Sequence, residues 1–288
     1  MDSFEGQPLT PVRPALTGRF ARVRRVAPLA VLPVAPVQAV WLRRTVPRFV
    51  DADGRSGVAG EGGRRLKVVV LGDSVAAGYA VAHHRSTVAG ALAARLAQRY
   101  AATVTWEVVA TTGFTAGEAA GLVEPSVFAD ADLVFISIGV NDAKNLHSAR
   151  RFRREIGALL DRVLAAAPHA RVALLGIPPL HQLPVVPRPL ADALGWRGRV
   201  FDALGAAAVA ARPRTLRIVP AAYLAHEMFA GDGFHPSELL HAMFAAAVMR
   251  ELDRTGGLGA ARRSPGRPRD HPTHSPPPEK VREKLKEK

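Results

Sequence analysis

The sequence predicts an α/β domain, a five-stranded parallel sheet covered by helices on both faces, and three observations carry that prediction. Short β-branched apolar runs alternate along the chain with longer stretches of helical periodicity. Parallel strands joined through helices need crossover connections, which bury both faces of the sheet and give three layers. With 288 residues and 48% hydrophobic content, the chain is long enough for one sizeable core.

The expected strands, each bounded by turn residues, are residues 67–72, 104–109, 133–138, 172–177 and 216–219, the last interrupted by Arg217. Helical patterns lie between them at 86–100, 149–167 and 192–211, and a final one at 237–254 closes the domain. No repeat of 20–50 residues is visible. In such folds ligands bind beyond the carboxyl ends of the strands, so the functional residues are sought in the loops that follow each run.

Composition narrows the chemistry. There is no cysteine, so disulfides, thiolate nucleophiles, iron–sulfur clusters and cysteine zinc sites are all excluded. The net charge of +14 sits mostly at the two ends. Residues 1–66 hold 11 Lys and Arg against 5 acids, residues 67–258 hold 19 against 16, and residues 259–288 hold 9 against 4. A nearly neutral catalytic-sized domain at 67–258 is therefore expected between a basic amino-terminal arm, 1–66, and a basic, proline-rich, disordered tail, 259–288. Within the tail, 279–288 has the charge spacing of a marginal helix.

Within the arm, residues 26–42 carry no charge and are bracketed by Arg24-Arg25 and Arg43-Arg44. Three prolines interrupt the run, and its length is at the floor for a membrane span. Three readings stay open: a strand or loop packed on the domain, association with a membrane, or a cleaved signal, the last disfavoured by Arg43-Arg44. A cytoplasmic or peripherally membrane-associated protein is expected, with contact to an anionic membrane surface through this arm. Residues 51–63, rich in glycine and charge, read as a linker.

The first strand runs into Gly72-Asp73-Ser74-Val75-Ala76-Ala77-Gly78. This is neither a phosphate loop nor a dinucleotide loop, and Ala76 stands where a nucleophile elbow wants glycine. It presents either a serine on a tight strand-to-helix turn or a helix cap formed by Asp73 or Ser74. After the second strand Gly113 allows a backbone N–H to approach a ligand. After the third, Asn141, one of two asparagines, offers a side-chain amide, while Asp142 reads as a cap or loop anchor.

The last loop, Gly231-Asp232-Gly233-Phe234-His235-Pro236-Ser237, puts Asp232 and His235 on one turn. The carboxylate can bond imidazole Nδ1 and leave Nε2 as a base. Among the other histidines, 83, 84, 147, 169 and 181 read as surface or loop residues, and His226-Glu227 lacks the partner a zincin helix needs. Together the four loops compose an acyl-transfer centre: Ser74 as nucleophile, His235 as base and Asp232 as orienter. The Ser74 and Gly113 N–H groups and the Asn141 side chain form its oxyanion hole.

Over about residues 67–255 the sequence resembles the SGNH (GDSL-like) hydrolases. Gly72-Asp73-Ser74 is similar to their first block, Gly113 alone to the second, Gly139-x-Asn141-Asp142 to the third, and Asp232-Gly-Phe-His235-Pro to the last. The resemblance implies a flavodoxin-like three-layer α/β/α fold, hydrolysis of esters or thioesters, and no cofactor.

Residues 177–187, stiffened by prolines, are expected to form an apolar wall, with Leu183, Tyr79, Phe114 and Phe229 contacting a small-molecule ester. Short-to-medium acyl esters, lysophospholipids included, are favoured over acetylated carbohydrate, with acyl transfer on the same fold as an alternative. A basic module binding membrane or nucleic acid is the reading of another class. The domain lacks an aromatic-interleaved basic stripe, so no specific nucleic-acid partner is expected, and the oligomeric state is left open.

Overall fold

Valine- and leucine-rich runs pair as five strands in the order β2-β1-β3-β4-β5 in the computed structural model, which describes residues 34–219 and 224–258. The strands are β1 (Ser56–Gly72), β2 (Ala102–Ala110), β3 (Leu133–Ser137), β4 (Arg171–Leu175) and β5 (Thr215–Ile218). The helices are α1 (Val34–Thr45), α2 (Val88–Tyr100), α3 (Ala116–Ala120), α4 (Pro125–Phe128), α5 (Val140–Lys144), α6 (Ala149–Ala166), α7 (Leu190–Ala210) and α8 (Glu238–Arg254). Neighbouring strands pair in parallel, and the order reverses between β1 and β3.

Alternate residues of each strand enter opposite layers, as the two-residue period of a strand requires. Val69, Leu71, Val134, Ile136 and Leu174 pack against Phe152, Ile156 and Leu160 of α6 and Phe201 of α7. Val68, Val70, Leu133, Phe135 and Leu175 face Leu92 and Leu96 of α2 and Phe244 and Val248 of α8. The sheet is thus buried on both sides. Arg217 is accommodated on edge strand β5 because its guanidinium pairs with Asp202 of α7.

Two expectations need correction. Residues 56–63 are not linker, because β1 begins at Ser56, upstream of the expected domain start at residue 67. Ser56 pairs with Glu107 and Ala59 with Val104 in falling register, whereas Arg65 to Gly72 pair with Thr103 to Ala110 in rising register. Val104 to Glu107 therefore have partners on both sides, and the first residues of β1 cover the outer edge of β2. The glycines here serve contact rather than freedom: a Cβ on Gly57 would enter the Trp106 indole, and one on Gly62 would meet the Ala101 carbonyl.

The apolar run is the second. Residues 34–42 lie within α1, a helix rather than a strand or loop, and Pro36 is tolerated because it stands in the first turn, where no intrahelical N–H bond is lost. The helix is tied to the amino-terminal end of α7. Gln38 Nε2 donates to the Arg188 carbonyl (2.9 Å), and the Leu190 N–H donates to Gln38 Oε1 (3.1 Å). No described helix is long and apolar enough to cross a membrane. Residues 26–33 and the tail at 259–288, with its expected helix, lie outside the described residues.

The Phe152 and Phe201 rings stack at 4.6 Å between α6 and α7, and both are buried. Phe201→Ala is expected to lower the unfolding free energy by about 3–5 kcal/mol in urea titrations, through lost burial and the cavity left behind.

Candidate active site

Gly72 ends β1 at φ +147°, and a Cβ there would overlap the Ser137 carbonyl of β3, so the two strand ends touch through backbone. The Asp73 N–H donates to the Ser137 carbonyl (3.1 Å), and the Ser137 hydroxyl donates back to Asp73 Oδ1 (3.1 Å). Asp73 Oδ1 also accepts the Val75 N–H (3.1 Å). The expected strand-to-helix turn differs in detail: residues 74–80 form successive turns closed by Ala77 N–H to Asp73 O and Tyr79 N–H to Ser74 O. Ser74 is held on this knot facing a cavity, and its hydroxyl makes no hydrogen bond among the described residues.

Asp232 and His235 lie on the loop ahead of α8. His235 Nδ1 and Asp232 Oδ2 are 2.5 Å apart. Asp232 Oδ1 accepts the N–H groups of Phe234 and His235, both at 2.9 Å. Burial raises the Asp232 pKa, but these hydrogen bonds and the imidazole outweigh it and hold the carboxyl below its ordinary value. A carboxylate bonded to Nδ1 keeps the ring proton there and directs Nε2 outward. Tyr79 packs against the imidazole at 4.4 Å between ring centroids, and His235 lines the same cavity as Ser74.

Gly113 and Asn141 come to this cavity from the ends of β2 and β3. Gly113 adopts φ +92°, and its N–H, like that of Ser74, bonds to no described residue. Asn141 is buried, and its Nδ2 donates to the Phe114 carbonyl (3.0 Å). An amide nitrogen has two protons, so this bond leaves one of them over. Three donors and a serine therefore share one concave surface at the reversal point of the sheet, where α/β folds bind ligands.

The cavity measures about 190 Å³. Leu175, Leu180, Leu183, Leu224, Phe229 and Phe244 make much of its apolar wall. Leu183, Tyr79 and Phe229 are among the residues that line the cavity. Phe114 is not: it is absent from the lining, and its carbonyl instead holds Asn141. Two charged residues of the lining, Asp73 and Lys144, were not among the expected site residues. The signals were there, since Asp73 precedes the serine and Lys144 stands three residues after Asn141 on α5.

The GDSL-like lipase/acylhydrolase family profile matches residues 70–243, more than half of the chain. The chain belongs to this family. A lipase from a goat rumen metagenome is similar to this GDSL-like hydrolase at 18% identity and TM-score 0.53, over 67% of this chain and 98% of that one. A family 3 carbohydrate esterase of Clostridium thermocellum gives 15% identity and TM-score 0.50, over 67% and 97%. At these identities the likeness is one of fold. No curated protein sequence matches the chain.

Around the GDSL-like centre, several polar residues are used as struts. Asp142 anchors its loop, as expected, accepting the Ala116 N–H of α3 (3.1 Å) and facing His147 Nδ1 (3.2 Å). Burial raises its carboxyl above the ordinary value, and those two partners offset part of the rise. Its carboxylate, His147 and Glu155 have oxygen and nitrogen atoms within 4.8 Å of one another, but Glu155 is already engaged by Arg151 at 2.8 Å. His84, expected as a surface or loop residue, is fully buried beside the turn that follows Ser74, where a Cβ on Gly78 would approach its ring. His241 is also buried, and its Nδ1 accepts the Val88 N–H (3.3 Å). Burial lowers the pKa values of His84 to about 4 and His241 to about 3, so both are neutral at pH 7.

Asp73 is shifted the other way, raised by burial to about 7 against the pull of its Val75 and Ser137 hydrogen bonds. An acid whose folded pKa exceeds its unfolded one supports folding at low pH and loses that support as pH rises through the folded value. Asp73→Asn keeps an acceptor for both hydrogen bonds and removes the titration. The variant is expected to be the more stable form at pH 8, by on the order of 1–4 kcal/mol, with the gap narrowing by roughly 1–3 kcal/mol at pH 5. Urea unfolding of both proteins at the two pH values measures it, and a pH-independent gap contradicts it.

Proposed function

We propose that this GDSL-like hydrolase is a serine esterase working through an acyl-enzyme on Ser74. The observation that carries the reading is the 2.5 Å Asp232–His235 pair facing the same cavity as Ser74 and two backbone N–H groups without described partners. His235 Nε2 takes the Ser74 proton as Oγ attacks the carbonyl carbon, and Asp232 stabilises the resulting imidazolium. The oxyanion is met by the Ser74 N–H, the Gly113 N–H and the Asn141 amide. Collapse of the tetrahedral intermediate passes the proton from His235 to the departing alkoxide. Water activated by the same histidine then attacks the acyl-enzyme and releases the acid. Each bond made or broken uses groups at hand, so the proposal needs no cofactor.

The cavity supports short-to-medium acyl esters as substrates. Its volume lies below the roughly 300–1,000 Å³ of sites that enclose drug-sized ligands, and its aliphatic and aromatic wall offers an acyl chain more than it offers a hydrated sugar. A lysophospholipid fits the chemistry if its chain extends past the cavity mouth.

Labelling with a fluorophosphonate probe tests the nucleophile. One adduct is expected, located on Ser74 by mass spectrometry, and Ser74→Ala should lose both the adduct and about 10⁴-fold or more of its turnover while staying folded. Turnover retained by the variant excludes Ser74. The acid is expected to matter less than the base: Asp232→Asn should cost about 10²–10⁴-fold in kcat/KM on a 4-nitrophenyl ester, and His235→Ala more. Equal or reversed losses refute that division of roles.

A further inference from the structure

Helix α1 has an inward and an outward face, and only the inward one has a partner among the described residues. Gln38 and Leu42 point inward, the first bonded to the start of α7 and the second packed on the core. Val34, Val37 and Trp41, at helical spacing, point outward with Val40 beside them; Val37 is 68% exposed and Trp41 53%. Such a side-by-side apolar surface is unusual on a protein meeting only water. The charge of its own segment has one sign: residues 34–50 include Arg43, Arg44 and Arg48 and no acid. An outward face of valines and a tryptophan, edged by arginines, is the make-up of a helix lying in the interface of a bilayer with anionic headgroups. At 12 residues the helix is about 18 Å long, too short to cross the hydrocarbon layer of roughly 30 Å.

The helix also leads to the cavity. After α1 the exposed Phe49 donates its N–H to the Tyr79 hydroxyl (2.7 Å) and sets its ring edge-on at 6.2 Å, and Tyr79 in turn packs on His235. Phe49 also flanks Gly231, next to Asp232. We propose that the outward face of α1 docks the protein on an anionic lipid surface and brings the cavity mouth beside the acyl chains. The docking does not depend on the serine mechanism.

Flotation of the full 288-residue chain with phosphatidylcholine vesicles, with and without phosphatidylglycerol, tests the proposal. Binding is expected with the anionic lipid, weaker with the neutral one and diminished by salt. Val37→Glu/Trp41→Glu should reduce partitioning at least about tenfold, and Arg44→Gln/Arg48→Gln roughly 30-fold. Both double variants should turn over a soluble short-chain ester at the wild-type rate, which separates this test from that of the esterase reading. The proposal is overturned if the wild type does not float. It is equally overturned if the glutamate variant floats as well as the wild type, which would assign lipid binding to the basic residues 1–33. A wild-type dimer that the glutamate variant dissolves, without flotation, would assign the face to a second copy.

Discussion

The close approach of β1 and β3 at Gly72 and Ser137 is the constraint on which the rest of the site depends. Only a residue without a side chain lets the two backbones meet there, and the reciprocal Asp73–Ser137 hydrogen bonds then lock the ends in register. Ser74 follows at once, so its direction is set by the sheet rather than by a mobile loop. Asn141 stands four residues beyond Ser137, after a glycine at φ +110° that turns the chain into α5. Nucleophile and amide donor are therefore placed by one junction, and the Asp232–His235 loop has only to reach it from the amino-terminal end of α8. This is how an α/β fold builds a precise site from short loops.

Burial around that junction favours the neutral form of each carboxyl, and hydrogen bonds decide how far it succeeds. The Asp73 carboxyl is driven toward its neutral form, whereas the Asp232 carboxyl, with three hydrogen bonds, stays ionised. Two carboxylates near one cavity thus ionise differently: burial of Asp73 outweighs the two hydrogen bonds it accepts, whereas the three at Asp232 outweigh its burial. His84 and His241, buried and neutral, disfavour folding as pH falls below about 6.5, while Asp73 pulls the other way.

Strands, major helices and the four loop motifs were legible because each is a local pattern: apolar runs of the right length, or polar groups at fixed short spacing. What was not legible depends on contacts far apart in sequence. Composition alone makes residues 51–63 a linker, and nothing local says that Trp106 will lie over Gly57. Phe114 looks like a substrate contact until the fold turns its carbonyl toward Asn141. His84 reads as a surface or loop residue until Gly78 and Thr87 close around it. In each case a residue type suited to solvent or ligand was recruited by a neighbour that only the tertiary structure supplies.

The first turns of β1 carry a practical lesson about where this chain ends as a folding unit. Ser56 to Ala59 occupy the flank of β2 that the five-stranded order would otherwise leave unpaired. A protein trimmed to begin at residue 67, where charge and composition suggest a boundary, would keep the whole of the proposed catalytic machinery yet bare a strand edge containing Val104, Trp106 and Val108. Unsatisfied strand edges recruit one another. Such a fragment would tend to precipitate or form strand-swapped assemblies, and its poor behaviour would be mistaken for an intrinsic frailty of the enzyme.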